Sequence, residues 1–381
     1  MTLLLHLPDF PWDSLAPLKE RASSVATADG LGLVDLSVGT PVDPTPQVVQ
    51  DALRSASDAP GYPQTWGTPA LREAVATWFA TRRGVPDLDP DGVLPTVGSK
   101  ELVAWLPTLL GLGPGDIVGF PAAAYPTYDV GARLAGATPQ VVNGLAALGP
   151  LLPSTTPKLL WLNSPGNPTG QVLGVEHLAK VVAWARQHGV VVASDECYAE
   201  LDWRTDRGGS TAPTTPSILD PRVTGGSHEG LLCVYSLSKQ SNLAGYRAAF
   251  VAGDPTLVKQ LLEVRKHAGM IVPWPIQVAL TAALGDASHV EAQKAVYGGR
   301  REDLLAGVRA FGLEVDHSDA GLYLWATAGE DAWVTLERLA ARGILAAPGT
   351  FYGSAGRQHV RIALTAPDER IAAAAERLRG H

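Results

Sequence analysis

The sequence predicts an α/β fold, with a mostly parallel central sheet held between helices in a large domain and a smaller α+β domain beside it. Three observations carry this. From residue 93 onward, apolar runs of strand length alternate with helical stretches, the pattern of strands joined by crossover helices. Val190-Val-Val-Ala193 is apolar without alternation, as a strand buried on both faces must be. The residues with chemistry gather where strands end, which is where open α/β sheets bind their ligands. A chain of 381 residues exceeds one small core and suits a large domain plus a smaller one.

Composition narrows the function classes. Charged residues make up 18% and apolar ones 46%, which is the balance of a globular chain and not of a disordered one. A net charge of -8 argues against a nucleic-acid surface, which needs a basic stripe. No window is apolar for the length of a membrane span, and the longest candidate, 271–284, carries Pro273 and Pro275. The N-terminus lacks a basic leader pattern. Cys197 and Cys233 form no disulfide framework and no metal-ligand spacing, so a reducing cytoplasm is expected and no metal site.

The elements follow in order. Residues 1–30 read as an arm and a short helix broken up by Pro8, Pro11 and Pro17. A short strand from Val34 ends at Gly39, where the backbone could approach a ligand or simply turn. Thr68-Pro69 opens an amphipathic helix, with Thr68 as cap and Tyr62 in the loop before it. Next come a strand from Val93 and a helix beginning near Gly98-Ser99-Lys100. A helix N-terminus is an anion site, because its first N–H groups lack partners. Capping alone accounts for Ser99. It does not account for Lys100, whose charge the helix dipole disfavours there unless an anion is near. Tyr125 precedes another helix and reads equally as a core aromatic.

The strand 159–162 runs into Asn163-Ser-Pro-Gly-Asn167-Pro-Thr-Gly170, a tight polar turn. Helix 175–188 leads to the strand that ends in Asp195, followed by Tyr198. A buried carboxylate there needs a partner; on local grounds it could equally cap the next element. Residues 203–230, rich in Gly, Pro, Ser and Thr, form a long connection with no assigned role. The run Leu232-Cys-Val-Tyr-Ser236-Leu-Ser238-Lys239 is a buried strand that turns polar at once, with Arg247 eight residues past the lysine. A lysine at the end of a buried strand suits covalent carbonyl chemistry. Further on, helical segments run to about 310, with an interruption expected at Gly298-Gly299. Then come a strand pair near 313–315 and 322–325, a helix 331–342, and a last strand 359–364 carrying Arg361.

Taken together and in this order, these motifs resemble those of the fold-type I, pyridoxal phosphate (PLP) dependent aminotransferases, over almost the whole chain. The resemblance implies the following roles. Lys239 bonds the cofactor aldehyde and, once freed, serves as the catalytic base and acid. Asp195 keeps the pyridine nitrogen protonated, Tyr125 stacks on the ring, and Asn167 and Tyr198 meet its phenolic oxygen. Gly98, Ser99, Lys100, Ser236, Ser238 and Arg247 surround the phosphate, joined by Tyr62 of a neighbouring subunit in a homodimer. Arg361 grips the substrate α-carboxylate with its planar fork, beside Gly39 and Asn167.

The domains implied are 1–40 (arm and part of the small domain), 41–285 (large, PLP-binding) and 286–381 (small). The opening Leu-Pro-Asp-Phe-Pro-Trp and the Gly-Tyr-Pro-Gln-Thr-Trp-Gly-Thr-Pro run look most like actinobacterial N-succinyldiaminopimelate aminotransferases. They imply a place in lysine and diaminopimelate synthesis, with the glutamate/2-oxoglutarate pair as partner substrate. An aspartate or aromatic aminotransferase, a C–S lyase on the same scaffold and a ligand-binding regulatory module stand as alternatives. The last of these carries a basic DNA-binding segment ahead of the fold, where this chain has a short proline-rich arm.

Overall fold

A computed structural model describes residues 7–25, 27–144, 155–204 and 215–380. A 3₁₀ turn, Pro11–Leu15, runs into α1 (Ala16–Ser24), with Pro17 in its first turn, where a missing N–H is harmless. Then come β1 (Val34–Asp35), α2 (Gln47–Ser55) and α3 (Pro69–Arg82). Thr68 caps α3 as expected: its hydroxyl accepts the Leu71 N–H at 3.1 Å.

The alternation read from the sequence follows: β2 (Val93–Val97), α4 (Ser99–Leu109), β3 (Ile117–Phe120), α5 (Thr127–Leu134), β4 (Thr138–Val141), β5 (Leu159–Asn163), α6 (Val175–His188) and β6 (Val191–Asp195). The single turn α7 (Pro221–Thr224), β7 (Leu231–Ser236), β8 (Ala248–Gly253), α8 (Pro255–Ala268) and α9 (Trp274–Leu284) complete the series. Seven strands form one sheet in the order β2-β8-β7-β6-β5-β3-β4, parallel except for β8. Both faces are covered. β7 sends Cys233 and Tyr235 into one core and Leu232 and Val234 into the other. Each such buried side chain contributes roughly 1.5–3 kcal/mol, which is why these strands are apolar without alternation.

The rest is α10 (Ser288–Ala310), β9 (Glu314–Asp316), β10 (Tyr323–Thr327), α11 (Ala332–Ala340), β11 (Ile344–Leu345), β12 (Ala347–Pro348), β13 (His359–Ala363) and α12 (Asp368–Arg379). A second, antiparallel sheet has the order β12-β13-β10-β9, and β1 pairs with β11. A third core joins Leu15, Leu18 and Leu36 of the chain's start to Leu324, Ile362 and Leu378 near its end.

Two expectations are corrected here. Gly298-Gly299 does not interrupt α10, which runs unbroken from Ser288 to Ala310. Tyr297, Arg300, Leu304 and Val308 are buried at helical spacing along it, and this packing outweighs the low helix propensity of two glycines. Nor is 203–230 simply a loop. Residues 205–214 lie outside the described residues, but Ile218 and Leu219 enter the core of the large sheet. The Ile218 N–H donates to Glu196 Oε1 at 2.7 Å, and Glu196 pairs with Arg83 at 2.7 Å, both buried.

A polar cluster ties the loop after Lys239 to α10. The Asn242 amide donates to Gln293 at 2.8 Å and to the Pro44 carbonyl at 3.2 Å. Gln293 and Arg300 in turn each donate to Asp43 at 2.8 Å. Among the described residues no helix is long and apolar enough to cross a membrane, and no cluster of His, Cys, Asp or Glu is placed to hold a metal.

Candidate active site

A cavity of about 430 Å³ opens at the carboxyl ends of β5, β6 and β7, closed on one side by the small sheet and the chain's start. Lys239 leaves the end of β7 and reaches across it, its ammonium donating to the Gly39 carbonyl. Burial lowers the Lys239 pKa, reinforced by the nearby Arg361 and Arg247 charges and opposed by Tyr323. A lysine held this way gives up its proton more readily than an exposed one.

Asp195 ends β6 and is buried. Its Oδ2 accepts from the Tyr128 hydroxyl at 3.0 Å and its Oδ1 from the Cys197 N–H at 3.2 Å. The capping contact allowed by the sequence is therefore present, but it occupies one oxygen only. Both donors are neutral, and among the described residues no cation pairs with the carboxylate. Burial accordingly pushes its pKa above the ordinary range.

The loop after β5 is held by Asn163, whose amide donates to the Asp195 carbonyl (2.9 Å) and whose oxygen accepts the Asn167 N–H (2.7 Å). Asn167 Oδ1 then accepts from Arg361 Nη1 at 3.1 Å. Arg361 Nη2 donates to the Ser37 carbonyl at 2.7 Å, while its Nε is buried without a partner among the described residues. Its strand, β13, lies between β12 and β10, so Arg361 is an interior residue and not an edge arginine in water. Tyr198 and Tyr125 border the same space. The Tyr198 hydroxyl lies 3.2 Å from that of Tyr323, and burial pushes the Tyr125 phenol up to about 12.

At the other end, Ser236 donates to Ser238 Oγ at 2.8 Å. Arg247 adopts a left-handed conformation (φ 55°), which its Nη1–H bond to the Ala244 carbonyl at 2.9 Å helps hold. Gly98 is the N-cap of α4, with φ 76° and no side-chain cap, so capping does not account for Ser99, which is the first helical residue. A Cβ at Gly98 would lie 2.1 Å from the Arg247 guanidinium, so only glycine admits that arginine against the helix start. Lys100 is exposed at the mouth, with its ammonium 5.7 Å from the Phe10 ring centroid.

Of the residues singled out from the sequence, the cavity gathers Gly39, Ser99, Lys100, Tyr125, Asn167, Asp195, Tyr198, Ser236, Ser238, Lys239, Arg247 and Arg361, with Gly98 directly behind. Tyr62 lies outside it on the surface, fully exposed, beside Pro63 and Trp274. Sequence reasoning missed several contributors, among them Tyr323, Tyr128, Asn163, Phe10 and Trp12. Tyr323 carries the Arg361 guanidinium 3.9 Å above its ring, and a Cβ on Gly39 would meet its hydroxyl at 2.1 Å. Burial raises its pKa, but the charges of Arg361 and Lys239 outweigh this and leave it below the ordinary phenol value. The diagonal register of Tyr323 and Arg361 across β10 and β13 had no signal in the sequence.

This arrangement fits PLP. An uncompensated buried carboxylate suits a protonated ring nitrogen. A helix start emptied of side chain, with serines and an arginine around it, suits a phosphate. The depressed lysine between them suits an aldehyde.

The comparisons agree. The family model for aminotransferase class I and II matches residues 32–378. The 4-dedimethylamino-4-oxo-anhydrotetracycline transaminase OxyQ of Streptomyces rimosus is 56% identical over 98% of this chain and 99% of its own. The LL-diaminopimelate aminotransferase of Gloeobacter violaceus is 36% identical over 94% of this chain and 93% of its own. Among solved structures, the probable N-succinyldiaminopimelate aminotransferase of Thermus thermophilus matches with TM-score 0.84 at 29% identity, covering 97% of this chain and 100% of that one. Fold, cavity chemistry and relatives converge: the chain belongs to the PLP-dependent class I and II aminotransferases.

Proposed function

We propose that this aminotransferase moves an amino group between N-succinyl-LL-2,6-diaminopimelate and the glutamate/2-oxoglutarate pair. One observation carries the reading: the cavity has a cation at each end, Arg361 buried within and Lys100 exposed at the mouth. A substrate with carboxylates at both ends offers each of these cations a partner. The likeness to diaminopimelate and succinyldiaminopimelate aminotransferases supports it.

PLP, when bound, supplies the aldehyde that takes the amino group and a ring that accepts electrons from the substrate's Cα. In this reading the chain's own residues do the rest. Arg361 holds the α-carboxylate with its guanidinium, with Asn167 and the Gly39 backbone beside it. Lys239 Nζ takes the Cα proton and returns it on the far side of the transfer. Asp195 holds the proton on the ring nitrogen. Tyr125 stacks on the ring face, and Asn167 and Tyr198 donate to the phenolic oxygen. Gly98, Ser99 and Lys100, through the N–H groups at the start of α4, hold the phosphate together with Ser236, Ser238 and Arg247. Tyr62, fully exposed in one chain, completes the phosphate site of the partner in a homodimer.

Residues 1–40 and 286–381 form the small domain around the third core, and 41–285 the large one. Two unpaired buried thiols suit a reducing cytoplasm.

A second reading has specific support, since 56% identity to OxyQ favours a polycyclic oxo substrate of the tetracycline type. A single-turnover absorbance experiment separates the two. Holoenzyme is mixed with N-succinyl-LL-2,6-diaminopimelate alone. The visible cofactor band falls and 2-oxoglutarate restores it if the first reading holds. A band that only glutamate discharges overturns the succinyl substrate and leaves the OxyQ-like reading standing.

A further inference from the structure

Tyr323 touches two of the groups that line the cavity, Arg361 and Tyr198. It sits on β10 opposite Ala363, which puts it on the face of the small sheet that carries Arg361. The Arg361 guanidinium lies 3.9 Å above its ring, a contact that strengthens where water is excluded, and both residues are buried. At the ring's edge the hydroxyl lies 3.2 Å from that of Tyr198, and the two rings meet edge-on at 5.8 Å. A Cβ on Gly39 would fall 2.1 Å from the same hydroxyl, so only glycine leaves it room. The ring is clamped and the hydroxyl aimed: among the described residues Tyr198 is its hydrogen-bond partner. A phenol has one proton to give and lone pairs to receive. Once Tyr198 gives its proton to the cofactor's phenolic oxygen, it has none left for Tyr323. The 3.2 Å bond then persists only with Tyr323 as the donor. The surroundings favour that direction. The Arg361 and Lys239 charges act on Tyr323 and leave it below the ordinary phenol value, whereas burial pushes Tyr198 well above it. The more acidic phenol is the better donor and the less acidic one the better acceptor.

We propose that Tyr323 is a positioning residue whose hydroxyl donates to the Tyr198 oxygen and so turns the Tyr198 proton toward the cofactor. Bonds in such a chain polarise one another, so the first donor strengthens the second. This inference rests on the role given to Tyr198 above and adds to it a residue that acts through Tyr198.

The test uses holoenzyme without substrate and reads the pH midpoint at which its visible cofactor band changes. A donor on the phenolic oxygen offsets its negative charge and weakens its hold on the neighbouring proton, so losing one raises the midpoint. Tyr198→Phe is expected to raise it by about 1 pH unit, and Tyr323→Phe, which keeps the ring beneath Arg361, by about half as much. The double variant matches Tyr198→Phe, because Tyr323 then has no hydroxyl to act through. A Tyr198→Phe midpoint equal to the native one removes Tyr198 from the phenolic oxygen, and this inference with it. A shift with Tyr198→Phe and none with Tyr323→Phe overturns the positioning role alone. Shifts that add in the double variant show Tyr323 acting on the cofactor directly, and overturn it too. Tyr323→fluorotyrosine, which keeps the shape and makes the hydroxyl more acidic, is the second variant. It moves the midpoint in the native background and not beside Tyr198→Phe; no effect, or the same effect in both, overturns the role.

Discussion

Asp195 shows how a single residue stores function at the expense of stability. Its carboxylate is buried on two neutral donors, and burial raises its pKa above the ordinary carboxyl value of about 3.9. An acid whose folded pKa is raised binds its proton more tightly folded than unfolded, so the fold loses stability as pH climbs from the ordinary value through the raised one. Urea unfolding of the cofactor-free protein is therefore expected to show Asp195→Asn more stable than the native chain at pH 7, with the gap closing near pH 4. A gap that does not vary with pH counts against this. Tyr128 is the second residue to probe. Tyr128→Phe removes one of its donors, and a hydrogen bond to a charged group supports an expected loss of about tenfold in kcat/KM, with the unfolding midpoint little changed. Asp195 and Lys239 were legible in the sequence because each ends an apolar run with a polar group that such a strand cannot otherwise tolerate. Tyr128 was not, since an aromatic one turn into a helix reads as core, and its ring does stack on Trp161, 5.0 Å away.

Among the elements, α10 is the instructive case. The sequence places a break at Gly298-Gly299, and the helix passes through both. Gly299 is exposed, and a Cβ there meets nothing within 4 Å. Gly299→Ala is expected to stabilise the protein by about 0.5–1 kcal/mol, the usual penalty for glycine inside a helix. Gly307 is different: a Cβ would come within 2.9 Å of the Ala375 backbone, where α12 crosses. Gly307→Ala is expected to destabilise by about 1–3 kcal/mol through overpacking. Thermal unfolding of the two variants gives opposite signs if propensity decides at the exposed Gly299 and packing overrides it at Gly307. The α/β alternation itself was readable, because period and run length are local. Which glycines are breaks and which are contacts is decided by a partner helix some 70 residues away in the chain.

At the scale of the whole molecule, the cavity is assembled from parts that do not adjoin in sequence. The large sheet supplies Lys239 and Asp195, the small sheet Arg361 and Tyr323, and the start of the chain Phe10, Trp12 and Gly39. The proposal that the exposed Tyr62 reaches the site of a second chain is tested by hybrids. Lys239→Ala and Tyr62→Ala chains, each impaired alone, are expected to regain activity when refolded together, because one site in each mixed pair then holds a native lysine and a native tyrosine. No recovery on mixing removes Tyr62 from the neighbouring site. A mostly parallel sheet and the strand-end position of the site could be anticipated from the sequence, whereas the order of the strands and the approach of the arm could not, since both are set by contacts between segments far apart in the chain. The interior position of Arg361 on β13 has one more consequence. Lys239, Asp195 and the start of α4 belong to the large sheet and its helices, whereas Arg361, Tyr323, Phe10 and Trp12 come from the small sheet and the chain's start. Mutation can therefore redraw the arm while the lysine, aspartate and phosphate cradle stand still. Such a division lets one lineage explore new amines without relearning the chemistry.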